Sequence, residues 1–344
     1  MTNEANTQAP QHEGPTPERI FQALTAYQAT AALKAAIELD IFTAIAEGAT
    51  TAAEIAERCG AAERGARILC DYLTVGQFLT KQGGRYGLTP DTELFLTRRS
   101  PAYLGGMVEF LCGPHLVGAF QANFTESVRK GGTAMPEQGS MTPEHPMWED
   151  FARSMAAMMH MPAEAIAGIV GAEGMETCKV LDIAAGHGVF GVALARHNPR
   201  AEVYAVDWQN VLPFARRTAE AAGVAERFHE IPGSAFDVEF GDGYDLALLT
   251  NCFHHFDKPT CVALMRKVHS ALKPGGRAVT LEFVPDEDRV TPPAEAAFAL
   301  IMLGTTPSGD AYTFGEFDAM FREAGFARSE IIAVPPQHVI VSYK

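Results

Sequence analysis

The sequence predicts an α/β protein: a seven-stranded, doubly wound sheet preceded by an all-helical domain that carries a two-stranded wing. Three observations predict it. Residues 180–207, VLDIAAGHGVFGVALARHNPRAEVYAVD, read as strand, glycine turn, helix and second strand ending in an acid. Short apolar runs then alternate with helix-period segments to the C-terminus, the last two runs forming a hairpin, which is the pattern of an open sheet with helices between its strands. Residues 17–88 read as successive helices followed by a β-hairpin.

Taken in order, residues 1–16 are polar, with Pro10 and Pro15, and read as a disordered tail. A helix starts at Thr16-Pro17-Glu18, with proline at its opening. Ile20, Phe21, Leu24, Tyr27 and Ala31 share one face, and alanine-rich helix continues to Leu39. Ile41–Ala46 is a short helix. Thr51 and Glu54 form a capping box that opens a helix through Cys59, stopped by Gly60. Glu63–Leu73 is a further helix. Phe78–Thr80 and Tyr86–Leu88 flank a Gly-Gly turn and make the wing. This domain spans 17–100. Residues 101–171 form a helical connector, with a loop at 131–146 and one long helix from Trp148 to Val170. Residues 172–344 form the α/β domain. After the 180–207 unit, it has a helix from Val211 to Ala222 and a strand from Arg227 to Ile231. Tyr244–Thr250 is a buried strand, Thr260–Leu272 a helix, and Lys273-Pro-Gly-Gly a turn. Arg277–Phe283 is a strand, Thr313–Ala324 a helix, and Ser329–Ala333 with His338–Ser342 the closing hairpin.

Composition narrows the function. A net charge of −15 argues against a general nucleic-acid binder. The winged-helix plan invites a DNA-binding reading, but Glu54, Glu57, Glu63 and Asp71 balance Arg58, Arg64 and Arg67, leaving no basic face. No apolar run is as long as a membrane span, and no basic, apolar signal opens the chain. Six cysteines without C-x-x-C spacing read as reduced thiols, neither a disulfide framework nor a metal site, and place the protein in the cytoplasm.

The 180–207 unit carries the chemistry. Gly186 and Gly188 allow a sharp turn and close ligand approach at a helix start. Asp207, about 20 residues beyond the first strand, can accept both ribose hydroxyls of an adenosine-type ligand. The turn reads A-x-G-x-G, not the dinucleotide G-x-G-x-x-G, and Asp182 would repel a pyrophosphate. A cationic ligand suits that acid, and S-adenosylmethionine, with its sulfonium and amino group, fits better than a nicotinamide dinucleotide. Ligand chemistry in open α/β sheets sits at the carboxyl ends of the strands, which puts the Gly186 turn, Asp207, His254 and Glu282 along one edge.

With LDIAAGHG, the acid of YAVD, YDLALLTNCFHHFD, LKPGG and LEF on the page, the chain resembles class I S-adenosylmethionine-dependent methyltransferases. Its front domain resembles the dimerisation domain of caffeic-acid-type small-molecule O-methyltransferases. The resemblance covers about residues 17–344. It implies that Asp182, Ala184, Gly186 and Gly188 hold the amino acid part of the cofactor and Asp207 the ribose. Trp208, Ser234, Ala235, Phe236 and Asn251 complete the cofactor contacts, and the family's catalytic base falls on His254, steadied by Glu282. The chain departs from the family in three places. His255 stands where an acid follows the base. A second supporting acid falls on Ala311, beside Asp310. An acid near the adenine falls on Ser234, with Asp237 as a stand-in.

The expected reaction is methyl transfer from S-adenosylmethionine to a small molecule, with S-adenosylhomocysteine as product and no metal. A phenol-type hydroxyl, pKa about 10, benefits from a histidine that takes its proton. A thiol or thioether acceptor, aligned without base catalysis, is an alternative because of Ala311. A winged-helix regulator that senses a nucleoside is another. Phe151, Met155, Met159, Met302 and Tyr312, with His255, are the expected substrate wall, since methionine adapts to apolar ligands. His187 is expected beside the cofactor. The apolar opening helix implies a homodimer, and Tyr27 is the residue expected to reach a partner's pocket.

Overall fold

The structure is a computed structural model that describes residues 15–176 and 178–344; residues 1–14 of the expected tail lie outside it. The chain forms two compact units that divide at Gly105/Gly106.

The first unit holds α1 (Glu18–Thr25), α2 (Tyr27–Glu38), α3 (Ile41–Ala46), α4 (Ala52–Cys59) and α5 (Glu63–Val75), then β1 (Leu79–Gln82), β2 (Arg85–Leu88) and α6 (Pro90–Leu96). The Thr51 hydroxyl accepts the Glu54 N–H, the Glu54 carboxylate returns to the Thr51 N–H, and Gly60 ends α4 in the left-handed conformation. The wing is antiparallel, with Leu79 opposite Leu88. Ala36, Ile41, Phe42, Ile55, Cys70 and Leu73 are buried together beneath it. The apolar face of α1 and the start of α2 is not: Ile20, Phe21, Leu24 and Tyr27 are each between 62% and 69% exposed.

The second unit opens with short helices α7 (Val108–Leu111), α8 (Pro114–Gln121) and α9 (Phe124–Lys130). The single helix expected from Trp148 to Val170 is in fact two, α10 (Met147–Ser154) and α11 (Ala156–Ile169), which meet at Met155. The break falls between Phe151 and Met159, and no glycine marks it. The sheet comprises β3 (Cys178–Ile183), β4 (Ala201–Asp207), β5 (Phe228–Pro232), β6 (Tyr244–Thr250), β7 (Leu272–Glu282), β8 (Arg328–Val334) and β9 (Gln337–Tyr343). Its order is β5-β4-β3-β6-β7-β9-β8; the pairs from β5 to β7 are parallel, and β9 runs antiparallel to both β7 and β8. The Lys273-Pro-Gly-Gly turn lies inside β7 as a bulge, the pairing jumping from Tyr244–Leu272 to Leu246–Arg277.

Helices cover both faces of this sheet. α12 (Val189–His197) and α13 (Leu212–Ala221) join α11 on one side, and α14 (Lys258–Ala271) and α16 (Phe314–Glu323) lie on the other; α15 (Pro293–Thr305) precedes α16 in the chain. Strand side chains alternate between the two cores, Val180 and Leu246 into the first, Leu181 and Ala247 into the second. All seven residues of β6 are buried. β3 and β6 are neighbours whose onward connections leave in opposite directions, so the crevice at their carboxyl ends is the ligand position of this fold. Among the described residues, no helix is long and apolar enough to cross a membrane.

Candidate active site

At the end of β3 the backbone enters the left-handed region three times, at Ala184 (φ 54°), Gly186 (56°) and Gly188 (74°). Gly188 is needed for space as well: a Cβ there would lie 2.8 Å from the Cα of Ala215 on α13. Gly186 is freer, with a Cβ's nearest neighbour being the Phe151 ring at 3.7 Å. The turn therefore packs against α13 and is covered by the side chain of α10.

Two carboxylates flank the turn. Asp182 is fully buried; one oxygen accepts the Gly191 N–H at 3.1 Å, and Oδ1 has no partner. Burial raises its pKa to about 7, opposed by the Gly191 hydrogen bond and reinforced by Asp207. Asp207 at the tip of β4 accepts the N–H groups of Gly186 and Trp208, each at 2.7 Å. Burial raises it to about 6, against those two bonds. His187 is buried, and its Nδ1 accepts the Val189 N–H at 3.2 Å, which leaves its proton on Nε2. Burial lowers its pKa to about 3, so it stays neutral, and its ring stacks on Phe151.

The loop after β5 is tied by side chains. Ser234 Oγ accepts the Phe236 N–H at 3.2 Å, and the Lys267 ammonium donates to the carbonyls of Ala235 (3.0 Å) and Phe236 (3.1 Å). Asp237 is exposed. At the end of β6, Asn251 has φ 54°; its amide approaches the Met159 sulfur at 3.7 Å, and its carbonyl accepts from the buried Gln337 amide. Lys267 and Gln337 lie far away in sequence and carry no local motif, so nothing in the sequence pointed to them.

His254 sits on a 3-10 turn, Phe253–His255, directly after β6. Its Nδ1 is 2.6 Å from a Glu282 carboxylate oxygen, and both residues are buried. The other Glu282 oxygen accepts the N–H groups of Cys252 (3.0 Å) and Phe253 (2.8 Å). Three donors thus converge on one carboxylate, which orients the imidazole with Nε2 turned away from it as an acceptor. Asp310, beside Ala311, pairs with Arg289 at 3.3 Å instead, so Glu282 is the acid that supports this histidine.

Aromatic rings frame the pair. Phe298 on α15 meets His254 edge-to-face at 4.8 Å and stacks on Phe283, while Trp148 meets His255 edge-to-face at 5.1 Å. Met302, one turn beyond Phe298, shares its helix face and is buried, as are Met155 and Met159. Tyr312 is buried with its hydroxyl committed to the Phe256 carbonyl at 2.6 Å and its ring against Phe317. Tyr27 belongs to the first unit, exposed at the start of α2. The helix that carries Phe298 and Met302 has no sequence expectation, because it is apolar on every side and shows no stripe.

The residues present fit S-adenosylmethionine. A buried carboxylate with an unpartnered oxygen stands beside a turn that admits close approach, and a second carboxylate tips the next strand. Both favour a ligand with positive charge and sugar hydroxyls over a pyrophosphate. Fold and site together define an S-adenosylmethionine-dependent methyltransferase. The chain belongs to the O-methyltransferase family: residues 140–327 match the O-methyltransferase domain, and residues 21–98 match the O-methyltransferase dimerisation domain. It is 28% identical over 315 residues to the 3-hydroxy-5-methyl-1-naphthoate 3-O-methyltransferase of Streptomyces sahachiroi, covering 90% of this chain and 89% of that protein. It is 26% identical to the L-tyrosine C(3)-methyltransferase of Streptomyces lavendulae, covering 91% and 88%. A crystal structure from Nostoc punctiforme, provisionally described as an O-methyltransferase, is 49% identical with a TM-score of 0.94, covering 96% of this chain and all of that one.

Proposed function

We propose that the protein methylates a hydroxyl group of a small, flat, largely apolar molecule, with His254 as general base, and that it works as a cytoplasmic homodimer. The observation that carries this reading is the buried His254–Glu282 pair at the tip of β6. When bound, S-adenosylmethionine supplies an electrophilic methyl group. Asp182 and the Ala184–Gly188 turn would hold its amino acid part, Asp207 its ribose, and the Ser234–Phe236 loop its base. His254 Nε2 would take the proton of the acceptor hydroxyl, and Glu282 would stabilise the imidazolium that forms. Met155, Met159, Met302 and the rings of Phe151 and Trp148 would exclude water and set the acceptor's plane. An oriented base has work to do on a hydroxyl and none on a thioether, which favours oxygen over a thioether sulfur as the acceptor atom. The free cysteines support a reducing compartment, and the exposed apolar face of α1 supports the dimer.

Calorimetry with S-adenosylhomocysteine, followed by methylation assays on a panel of phenols, tests this function. Binding at micromolar concentration and methyl ether products are expected. No binding at high micromolar ligand would end it.

A further inference from the structure

Two histidines stand side by side on the turn after β6, and their surroundings give them opposite hydrogen-bonding polarity. The Nδ1 of His254 faces a carboxylate, which only accepts, so Nδ1 carries the proton and Nε2 presents a lone pair. His255 has no such partner. Its Nδ1 is sealed from solvent and meets no hydrogen-bonding group. Burial, and then the neighbouring His254, hold its pKa well below the usual imidazole value, so the ring has a single proton. On Nδ1 that proton would be a buried donor without an acceptor, a costly arrangement; on Nε2 it can be used. His255 therefore offers a donor where His254 offers an acceptor, on rings whose centroids are 4.2 Å apart. A donor there asks for an acceptor oxygen, and a carbonyl, which only accepts, is its full complement.

We propose that the acceptor molecule is an aromatic hydroxyl with a neutral carbonyl oxygen directly beside it, ortho or peri, and that His255 Nε2 donates to that carbonyl while His254 Nε2 accepts from the hydroxyl. This rests on the function proposed above. In such molecules the hydroxyl hydrogen is tied internally to the carbonyl and turned away from any base. A donor that takes over the carbonyl releases the hydroxyl for His254. The carbonyl belongs to a ketone, quinone or amide and not to a carboxylate. His255 is uncharged, Glu282 already places a negative charge behind His254, and among the described residues no lysine or arginine pairs with any of the three. The rings of Trp148 and Phe298, set edge-to-face with the two imidazoles, suit a planar guest.

The test compares two isomers of one composition, 2-hydroxyacetophenone and 4-hydroxyacetophenone, by calorimetry with S-adenosylhomocysteine present and by methylation rate. The wild-type protein should bind the ortho isomer several-fold more tightly, roughly 3- to 10-fold, since the added hydrogen bond to His255 is offset in part by the internal one given up. His255→Phe should abolish that ratio, and His255→Asp should shift the preference to catechol. Equal binding of the isomers by the wild type, or an unchanged ratio in a His255→Phe protein that still holds S-adenosylhomocysteine, would overturn the inference. If that variant does not fold, the wild-type ratio decides alone. Failure of the wild type to bind S-adenosylhomocysteine would strike the proposed function instead, whereas equal methylation of both isomers would strike only the role of His255.

Discussion

At the scale of single residues, Asp182 and Asp207 carry the clearest electrostatic consequence. Their carboxyls sit at about 7 and about 6, both raised mainly by burial. A carboxyl whose pKa is higher in the folded chain keeps its proton after the unfolded chain has released it. Their contribution to stability therefore falls as pH rises from about 4 through those values and levels off above about 7. From pH 5.5 to 7.5 Asp182 should withdraw on the order of 2 kcal/mol of stability from the cofactor-free protein, while His187 and His255, held neutral by burial, act in the opposite sense over the same window, so the comparison with Asp182→Asn isolates the carboxyl. Asp182→Asn should remove that carboxyl's contribution, so that the variant gains stability relative to the wild type as pH rises, as thermal melts of the two proteins across the range will show. Affinity for S-adenosylmethionine should move the other way, strengthening from pH 5.5 to 7.5 as the carboxyls ionise to meet its positive charge. Asp207→Ala should weaken cofactor binding before it touches turnover at saturating cofactor. Glu282→Gln should slow the reaction, but less than loss of His254, because it orients the base without taking the proton. Rates measured at saturating cofactor separate the two effects. The sequence exposed these residues because each sits where an apolar strand ends. It could not expose Lys267 or Gln337, whose targets are backbone carbonyls and an amide brought near only by the fold.

At the scale of elements, the glycine turn makes a paired prediction. Gly188 and Gly186 both have positive φ, but only Gly188 is pressed against backbone, by Ala215. Gly188→Ala should destabilise the protein by about 2–3 kcal/mol or more and displace α12 from α13. Gly186→Ala should cost about 1 kcal/mol, since Ala184 already occupies the same region with a side chain, and should act chiefly on cofactor affinity. Denaturant melts alongside calorimetry distinguish the two. The legible elements are those with both period and punctuation: the capping box at Thr51, the buried run Tyr244–Thr250, the acid-tipped Ala201–Asp207. α15 escaped because it is apolar all round. α6 escaped because its box closes with Thr92 in place of an acid. The Met155 break and the β7 bulge are tertiary fits that local preference does not encode.

At the scale of the whole molecule, the front unit leaves an apolar stripe in water, Ile20, Phe21, Leu24 and Tyr27. A matching family segment at residues 21–98 is a dimerisation domain, so a second copy is the expected cover. Phe21→Asp with Leu24→Asp should shift the protein to a monomer in light scattering without loss of α/β folding. A wild-type protein that is monomeric across a wide concentration range would contradict the dimer. Fold class and family were legible because the organising motif, the strand alternation and the front helices agree. The acceptor was not, because the helices proposed to form its wall, α10, α11 and α15, take positions that follow from packing.

The central claim is that His254, held by Glu282, removes a proton during methyl transfer. The measurement that tests it most directly is turnover of His254→Ala on a phenol that the wild type methylates, paired with calorimetry of S-adenosylhomocysteine. The account predicts a fall in turnover of roughly 10²–10⁴-fold with cofactor affinity almost unchanged. Near-normal turnover in that variant, with the cofactor bound as in the wild type, would contradict it.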